Sequence, residues 1–568
     1  MTTYQNFLAD KAITAEATGK DVDPATLHSA LFPFQRDIVE WALKKGRAAI
    51  FADTGLGKSL MQIVWASEAA DCSIIFAPLA VAQQTAREGE RWGIPVTLCR
   101  DAADVRPGVN VANYERLHLF DAAPFGAIVI DESSILKGFS GTTRKALTAF
   151  AIGIPYRLAC TATPAPNDLI ELTNHAEFLG VMEGKEIIAL FFTQDGNTTH
   201  AWRLKGHAKR DFWKWLTSWA VAIRKPSDLG YSNDAYDLPP LNVHQVTVEM
   251  EAAPDGALFA VEAAGLQDRQ RARKRSMGER VEAASALVAA EPEEPWLIWC
   301  DLNAESQALA AMIPGAVEVT GSDSPEHKTQ AMLDFAEGRI RVLISKPSLC
   351  GFGMNWQQCA RVAFVGLSDS FEQFYQAVRR CWRFGQTRAV ECYVITSAAE
   401  GAVVRNIQRK ETQAREMMDN LIAEVGQHGL AAAKGTQRDE MVYVEDVAQG
   451  DGWTIYLRDS IQTIDNIASD SVGLSVFSPP FPGMYAYTNS ARDIGNCTGI
   501  DELIEHFSHL VAPEKLLRVL MPGRAVAIHL TQMPSFITKG GDGGLRDFHG
   551  ETIKMMHAAG WIYDATIT

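Results

Sequence analysis

The sequence predicts an α/β protein built on parallel β-sheets, with two complete lobes and a third, partial one. Short apolar runs of strand length alternate with helical stretches, which is typical of parallel sheets with helical crossovers. The alternation restarts near residues 296 and 453, which divides the pattern into three parts. Polar residues follow the strand-like runs, and the carboxyl ends of parallel strands are where such sheets bind ligands.

The first lobe is organised around a glycine-rich loop at residues 52–59, Ala-Asp-Thr-Gly-Leu-Gly-Lys-Ser, in which Ala52 takes the usual first glycine position. The apolar run 48–51 precedes it, and residues 60–70 space their apolar side chains as a helix does. Such a loop presents backbone N–H groups and a helix N-terminus to a phosphate. We expect the phosphates of a nucleotide to lie against Thr54, Gly55, Leu56, Gly57 and Lys58, with the Ser59 hydroxyl on Mg²⁺.

An acidic pair supplies the partner that a phosphate loop needs. Asp131 and Glu132 end the apolar run 127–130, one of four further strand-like runs in this lobe. Asp131 would hold Mg²⁺, and Glu132 would orient and deprotonate the attacking water. An Asp-Glu pair after a short apolar run is common by itself, as a solvated strand end. In one predicted sheet with the Gly-Lys-Ser loop, it indicates hydrolysis of a nucleotide.

The second lobe contributes a glutamine and two arginines. Its strand-like runs are 296–300, 317–321, 341–345 and 362–365, and a long helix is predicted over 400–426. In the stretch 376–386, Gln376 precedes Arg380 and Arg383, which are three residues apart and so share one face of a predicted helix. Guanidinium groups aimed at a γ-phosphate stabilise the charge that develops during transfer. The alternative is an ordinary surface arginine cluster.

Taken in order, these motifs make residues 31–410 resemble a superfamily 2 helicase-type motor of the Swi2/Snf2 translocase group. Phe34 and Gln35 resemble the adenine-reading Q motif, 52–59 resembles motif I, 131–134 stands where the family has DEAD or DEAH, 161–164 resembles motif III, 345–355 with Gly353 resembles motif V, and 376–386 resembles motif VI. The resemblance implies two RecA-like lobes that close on ATP and Mg²⁺. It also implies double-stranded DNA across both lobes, with single-stranded DNA as a second candidate, and favours translocation over strand separation. Motif II departs from the family in reading Asp-Glu-Ser-Ser.

The third part contains a proline elbow. The apolar run that starts at residue 475 ends in Ser478, Pro479, Pro480 and Phe481. Two prolines fix the backbone so that Ser478 and nearby carbonyls can accept bonds from an exocyclic amine, while Phe481 stacks on an extruded base. The alternative is a proline-stiffened surface turn.

This elbow resembles the catalytic motif of DNA amino-methyltransferases that act on adenine N6 or cytosine N4. The resemblance implies a Rossmann-like domain in which Asp459 binds the adenosyl part of S-adenosylmethionine. The family's glycine-rich motif for the methionine end of the cofactor does not occur in residues 440–568. We therefore expect the chain to stop within this domain and not to methylate in this form.

Composition narrows the functional classes. The chain of 568 residues has a net charge of −16, so a nucleic-acid partner requires a local basic surface. Two runs could supply one, residues 202–219 with interleaved tryptophans and residues 269–280, and the alternative for each is a solvated helix face over a core. Nine cysteines without a CxxC pair favour a reduced, cytoplasmic protein over a disulfide framework or a zinc site. No apolar run is long enough to span a membrane.

These observations lead to a domain plan and a function. We expect a lead-in at 1–30, lobe 1 at 31–240 with a tryptophan-rich insertion at about 168–236, lobe 2 with its trailing helix at 241–432, a linker at 433–452 and a partial methyltransferase domain at 453–568. The predicted function is an ATP-dependent DNA translocase or helicase coupled to a DNA amino-methyltransferase, in restriction-modification or phage-encoded modification. The alternatives are an ATP-switched DNA clamp with an inactive methylase remnant, and an RNA helicase.

Overall fold

The computed structural model describes residues 3–15, 19–138, 141–194, 202–233, 236–249, 273–350, 355–428, 430, 436–437, 445–480, 490–497, 500–535 and 544–566. The chain forms two compact units. The two-lobe unit contains residues 18–179 and 219–434, and the composite unit contains residues 1–17, 180–218 and 435–568.

The elements are given in chain order. Residues 1–240 form α1 (Tyr4–Ala12), β1 (Ile13–Ala15), α2 (Pro33–Lys45), β2 (Arg47–Ala52), α3 (Lys58–Ala69), β3 (Cys72–Ala77), α4 (Leu79–Trp92), β4 (Val96–Leu98), β5 (Gly108–Asn113), β6 (Ala127–Asp131), α5 (Thr142–Phe150), β7 (Tyr156–Thr161), α6 (Leu172–Leu179), α7 (Gly184–Phe191), β8 (Phe192–Gln194), β9 (Trp202–Leu204), α8 (Lys209–Thr217) and β10 (Ala220–Ile223). Residues 241–434 form β11 (Leu241–Val248), α9 (Met277–Ala290), β12 (Trp296–Cys300), α10 (Asn303–Met312), β13 (Val317–Glu318), α11 (Pro325–Ala336), β14 (Val342–Ser345), α12 (Pro347–Cys350), β15 (Arg361–Val365), α13 (Phe371–Val378), β16 (Val390–Ser397) and α14 (Gly401–His428). The remainder forms β17 (Thr436–Gln437), β18 (Asp446–Gly450), β19 (Trp453–Leu457), α15 (Ser460–Thr463), β20 (Val472–Phe477), α16 (Ile500–Val511), β21 (Leu520–Ile528), β22 (Met533–Ser535), β23 (Gly544–Arg546) and α17 (Phe548–Ala558).

Lobe 1 is a seven-stranded sheet in the order β10-β2-β7-β6-β3-β5-β4. All of its strand pairs are parallel. The middle strands are buried from end to end because helices cover both faces, as in other parallel sheets. Since β2, β7 and β6 are neighbours, the segments that follow them meet at one edge: Phe51 pairs with Thr161, and Asp131 pairs with Cys160.

Lobe 2 is a six-stranded sheet in the order β11-β16-β15-β12-β14-β13, and its pairs are also parallel. The prediction of two parallel, RecA-like sheets is therefore confirmed. The strands predicted from apolar runs are present, and the long helix predicted over 400–426 is α14. The sequence did not single out β10, β11 or β16, the first and last of which are nevertheless well buried.

The basic run at 269–280 ends in a buried ionic network in lobe 2. Arg280 is fully buried and forms ion pairs with Glu305 at 2.7 Å and with Glu400 at 3.7 Å. Arg273 is also buried and pairs with Glu400 and with Asp301. These two arginines form ion pairs inside lobe 2 and do not face solvent, whereas Lys274 and Arg275 are exposed. Arg271 lies outside the described residues.

The tryptophan-rich run has an apolar interior and a charged exterior. Trp213 and Trp215 on α8 are buried, and so is Trp219, which follows the helix. Lys209, Arg210 and Lys214 are exposed on the same helix. The tryptophans therefore serve as core residues, and any nucleic-acid contact from α8 would come from its basic face.

The composite unit is made of small sheets and helices. β20 pairs with β21 in parallel, while β18–β19, β22–β23, β8–β9 and β1–β17 are antiparallel pairs. Helix α16 supplies Phe507 and Val511 to a small core with Val519. No helix within the described ranges is both long and apolar enough to cross a membrane.

Candidate functional site

The glycine-rich loop lies between β2 and α3, as predicted. Gly55 and Gly57 adopt positive φ angles of 92° and 77°, a conformation that other residues rarely reach. Gly57 is also the N-cap of α3, so the helix N-terminus faces the loop. The Lys58 ammonium donates hydrogen bonds to the carbonyls of Ala52 at 2.8 Å and Asp53 at 3.2 Å. Ser59 follows in the first turn of α3, and the loop residue Leu56 is buried.

The Q-motif residues are attached to this loop. Gln35 is buried at the start of α2, and its amide donates to the Leu56 carbonyl at 2.8 Å. A Cβ added to Gly57 would approach the Gln35 amide nitrogen to 2.3 Å, so this contact itself requires glycine. Phe34 is buried and packs edge-on against Tyr236 at 5.5 Å between ring centroids.

The acidic pair lies at the end of β6, across the sheet edge from the loop. Asp131 is buried, and its Oδ1 accepts bonds from the Gln62 side chain at 2.7 Å and from the Glu132 amide at 3.1 Å. Both bonds end on Oδ1, and the described residues show no hydrogen bond to Oδ2, which is therefore free to face a cation. A carboxylate with a hydroxyl such as that of Ser59 is the oxygen donor set that suits Mg²⁺.

Glu132 combines an unusual backbone conformation with a raised pKa. Its backbone is left-handed, with φ of 54°, which is uncommon for a residue other than glycine. Its carboxylate accepts from Thr161 at 3.3 Å and from Gln376 at 3.4 Å. Burial, reinforced by the charge of Asp131, raises the pKa of Glu132 to about 7. Burial lowers the pKa of Lys58, and the nearby carboxylates of Glu132, Asp53 and Asp131 oppose that shift.

The arginines of lobe 2 reach this site from a turn. Helix α13 ends at Val378, so Arg380 and Arg383 lie beyond it and not on one helix face as predicted. The chain turns after the helix, and the Gln386 side chain stabilises this turn by donating hydrogen bonds to the backbone carbonyls of Cys359 and Cys381.

Arg380 and Arg383 have different surroundings. Arg380 donates to the Gln376 side chain at 3.2 Å, and Gln376 in turn contacts Glu132. The Nε of Arg383 is buried, and within the described part of the chain it has no hydrogen-bond partner. Burial lowers the pKa of both guanidinium groups to about 10. Arg383 therefore keeps unused donor capacity, and so does Arg379, whose Nε also has no hydrogen-bond partner among the described residues.

The two serines of motif II make contacts that the sequence did not predict. Ser133 bonds to His175 at 3.1 Å inside lobe 1. Ser134 donates to Glu372 of lobe 2, and Lys137 forms an ion pair with the same carboxylate. The serines therefore connect the acidic pair both to its own lobe and to the opposite one.

Three further residues, Asp53, Tyr375 and Arg379, connect the lobes at the phosphate loop, and the sequence analysis did not single them out. Asp53 accepts hydrogen bonds from Tyr375 and Arg379 of lobe 2. Their position directly beside the motif residues could have suggested them, since Asp53 lies in 52–59 and Arg379 in 376–386. Gly353 lies outside the described residues, so its predicted role stays a prediction.

A second candidate site is a cavity of about 700 Å³ within the composite unit. It is lined by Asp459 and by Ser478, Pro479 and Pro480 of the elbow, together with Arg492 and His506. Asp459 caps α15 and accepts a bond from Arg492 at 2.9 Å. Phe481 lies outside the described residues. The sequence motifs thus meet at one cavity whose volume suits a small-molecule ligand.

The N-terminal helix α1 is also part of this region, which the sequence did not suggest. The Tyr4 hydroxyl donates to Asp459 at 3.0 Å. Lys11 is buried and lies 3.1 Å from Nδ1 of His506. Helix α1 therefore contacts two of the residues that line the cavity, although it lies more than 400 positions away in the sequence.

With this geometry established, lobe 2 can be compared with known proteins. Residues 279–385 match the helicase conserved C-terminal domain family. Lobe 2 resembles a helicase C-terminal domain. This matched region ends within the 376–386 segment, so it includes Gln376, Arg380 and Arg383.

Two individual proteins are also similar. The putative protein p41 of Acyrthosiphon pisum secondary endosymbiont phage 1 is 25% identical over 439 residues, which cover 63% of this chain and 89% of that protein. The Sulfolobus solfataricus SWI2/SNF2 ATPase core in complex with dsDNA is 17% identical and covers 73% of this chain and 98% of that one, with a TM-score of 0.33. A score this low does not by itself assign the fold. The helicase C-terminal match and the site geometry agree on a helicase-type, nucleotide-binding core.

Proposed function

We propose that the two-lobe unit is an ATP-driven DNA translocase of the Swi2/Snf2 type. The observation that carries the proposal is the contact of Gln376 with Glu132, which brings the arginine segment of lobe 2 to the acidic pair of lobe 1. The ordered motif set and the helicase C-terminal match support the same conclusion. The phosphate loop alone would support only nucleotide binding.

The chemistry follows from the residues around the loop. Lys58 exchanges its two carbonyl partners for the β- and γ-phosphates, and Gln35 reads the adenine. Glu132, held by Thr161 and Gln376, takes a proton from water as the oxygen bonds to the γ-phosphorus. The bond to the β-phosphate oxygen breaks, giving ADP and phosphate, while Arg380 and Arg383 balance the developing charge. Mg²⁺, which Asp131 and Ser59 would hold, neutralises charge on the phosphates when bound.

Duplex DNA is the proposed track. ATP hydrolysis measured with duplex DNA, single-stranded DNA and RNA tests this directly. We expect duplex DNA to stimulate turnover most, and the protein to displace the third strand of a triplex in an ATP-dependent way. Stimulation by RNA alone would favour an RNA helicase. Tight ATP-dependent retention on DNA without stimulation would favour a switched clamp.

We also propose that residues 453–568 contain the catalytic-motif part of a DNA amino-methyltransferase, in a phage-encoded or restriction-modification system. The meeting of Asp459 with Ser478, Pro479 and Pro480 at one cavity supports it. The fit to S-adenosylmethionine is partial: a carboxylate and a cavity are present, but residues 440–568 lack the glycine-rich motif. A cytoplasmic location completes the proposal, and the described cysteine side chains are free thiols, as that location requires.

Equilibrium dialysis with S-adenosylmethionine tests the methyltransferase proposal. Binding that Asp459→Asn weakens, while Asp465→Asn does not, would support a cofactor site at this cavity. Asp465 is a suitable control because it lies close to Asp459 in the sequence, and its carboxylate is exposed and pairs with Lys515. Absence of binding, or equal binding by both variants, would contradict a cofactor site at this cavity. The elbow would then be a proline-stiffened surface turn.

A further inference from the structure

Arg379 differs from the other two arginines of its segment in what it touches. Arg380 contacts Gln376, and the Nε atoms of both Arg383 and Arg379 have no hydrogen-bond partner in the described chain. Arg379 instead forms an ion pair with Asp53 inside the phosphate loop. It is the arginine of lobe 2 that contacts the loop itself.

The Asp53 carboxylate is fully engaged by the two lobes together. Its Oδ1 accepts from the Thr54 amide at 2.6 Å and from the Tyr375 hydroxyl, and its Oδ2 accepts from Arg379. Asp53 and Arg379 are both more than nine-tenths buried. The loop is therefore fixed at its first turn by side chains from lobe 2.

Packing holds the Arg379 guanidinium in place. It lies 4.3 Å from the ring centre of Trp382 and 5.3 Å from that of Tyr375, both in cation–π geometry. The lobe 2 backbone is close as well, because a Cβ on Gly55 would meet the Phe384 nitrogen at 3.1 Å. Lobe 2 therefore covers residues 53–55 of the loop.

A buried carboxylate at this point is a problem for a phosphate site. Asp53 adjoins backbone groups that must receive a triphosphate, and like charges repel strongly where water is excluded. A buried charge also needs a partner for its own stability. Arg379 meets both needs, since it cancels the Asp53 charge and belongs to the lobe that must close on the nucleotide.

We propose that Arg379 is a positioning residue, the counter-ion through which lobe 2 makes the phosphate loop competent to bind ATP. This inference rests on the proposed ATPase function. Arg379 acts through Asp53, in contrast to an arginine that touches the γ-phosphate. Its loss affects ATP binding more than the chemical step, and removal of the Asp53 charge compensates for that loss.

Charge removal in a double-mutant cycle tests this inference in the full chain. Arg379→Gln should raise KM for ATP, and Kd for a fluorescent ATP analogue, by about tenfold or more, because it leaves a buried carboxylate beside the phosphates. Its kcat should stay within about threefold of wild type. Asp53→Asn combined with Arg379→Gln should bring KM back to within about threefold of wild type. Arg388→Gln is the matched control, because Arg388 forms an exposed ion pair with Glu294 in the same lobe at 2.9 Å.

The outcomes separate this inference from the proposed function. An unchanged analogue affinity in folded Arg379→Gln, checked by its melting temperature, overturns the inference and leaves the ATPase intact. A large loss of kcat with unchanged KM also overturns it, since Arg379 would then act on the reacting phosphate. A double variant whose KM for ATP is no closer to the wild-type value than that of Arg379→Gln also overturns the inference. If wild type neither binds nor hydrolyses ATP, the proposed function fails and the inference fails with it.

Discussion

Lobe 1 and the composite unit contain strands of similar apolar character in opposite surroundings. Ile50 in β2 is fully buried, whereas Ile455 in β19 is 63% exposed and Val476 in β20 is 69% exposed. β2 lies inside a seven-stranded sheet, while β19 and β20 each belong to a sheet of two strands. An apolar run therefore predicts a strand in both places, but burial depends on how many neighbours that strand acquires.

The difference affects the two candidate sites. The proposed nucleotide site is assembled at the ends of buried strands, so its side chains are attached to a rigid sheet. The cavity of the composite unit is bordered by β20, which belongs to a sheet of two strands, and by residues of α15 and α16. We therefore expect single substitutions at the first site, both of its polar residues and of the core beneath it, to have large effects. Substitutions on the exposed strands beside the second site should have small effects.

The largest effect should come from Arg383→Ala. If Arg383 contacts the γ-phosphate, its loss should lower kcat by about 10³–10⁵-fold, because its charge stabilises the transition state. Steady-state ATPase kinetics would measure this, with Arg388→Ala as a control in the same lobe. A change confined to KM would make Arg383 a binding residue instead.

Glu132→Gln should have the next largest effect. Loss of the base should slow ATP turnover by about 10²–10⁴-fold while ATP binding is retained. Turnover and binding of a fluorescent ATP analogue would be measured together, with Glu294→Gln as an exposed control. A Glu132→Gln protein that turns over ATP at the wild-type rate would exclude Glu132 from the base role.

Ile50→Ala tests the rigidity of the buried sheet. Truncation of a fully buried strand residue should lower the free energy of unfolding by about 2–5 kcal/mol. Chemical denaturation followed by tryptophan fluorescence would measure it. A loss below about 1 kcal/mol would show that lobe 1 relaxes around the cavity more than a close-packed sheet should.

The composite unit should be sensitive to acid through His506. Burial, with the nearby Lys11 charge, lowers the pKa of His506 from 6.5 to about 2. Below pH 6.5 the imidazole is protonated in the unfolded chain but stays neutral in the folded unit. The free energy of unfolding therefore falls as the pH drops below 6.5. Hydrogen exchange in α16 would report this, and His506→Gln should flatten the slope where the exposed His557→Gln does not. An unchanged slope in His506→Gln would show that other groups cause the acid sensitivity.

Val476→Thr should have the smallest effect. Val476 is exposed, so the substitution should change the free energy of unfolding by no more than about 0.5 kcal/mol. Denaturation of the same full chain allows direct comparison with Ile50→Ala. A loss as large as that of Ile50→Ala would mean that another surface covers β20 in solution.

Much of the arrangement of the proposed nucleotide site could be predicted from the sequence because its residues fall in short, ordered segments. Lys58, Asp131 and Glu132 follow apolar strands, and parallel pairing brings such strand ends together without further information. The position of Arg380 and Arg383 was only partly predicted. Their three-residue spacing suggested one helix face, but α13 ends first and the segment turns.

The contacts between the lobes could not be predicted in the same way. Asp53 with Arg379, and Ser134 with Glu372, join residues more than 200 positions apart. Neither local spacing nor periodicity carries that information. The same holds for Tyr4 and Asp459, and for the buried pairing of Arg280, which its sequence presents as one more basic residue in a charged run.

The sequence by itself determined the two parallel sheets, the glycine loop and the acidic pair, because strand periodicity and backbone geometry act over a few residues. Only the tertiary structure decided which charges are buried, which arginine contacts which acid, and which apolar strands are covered. Those outcomes depend on desolvation and on neighbours brought together by folding, and these are properties of the packed chain as a whole.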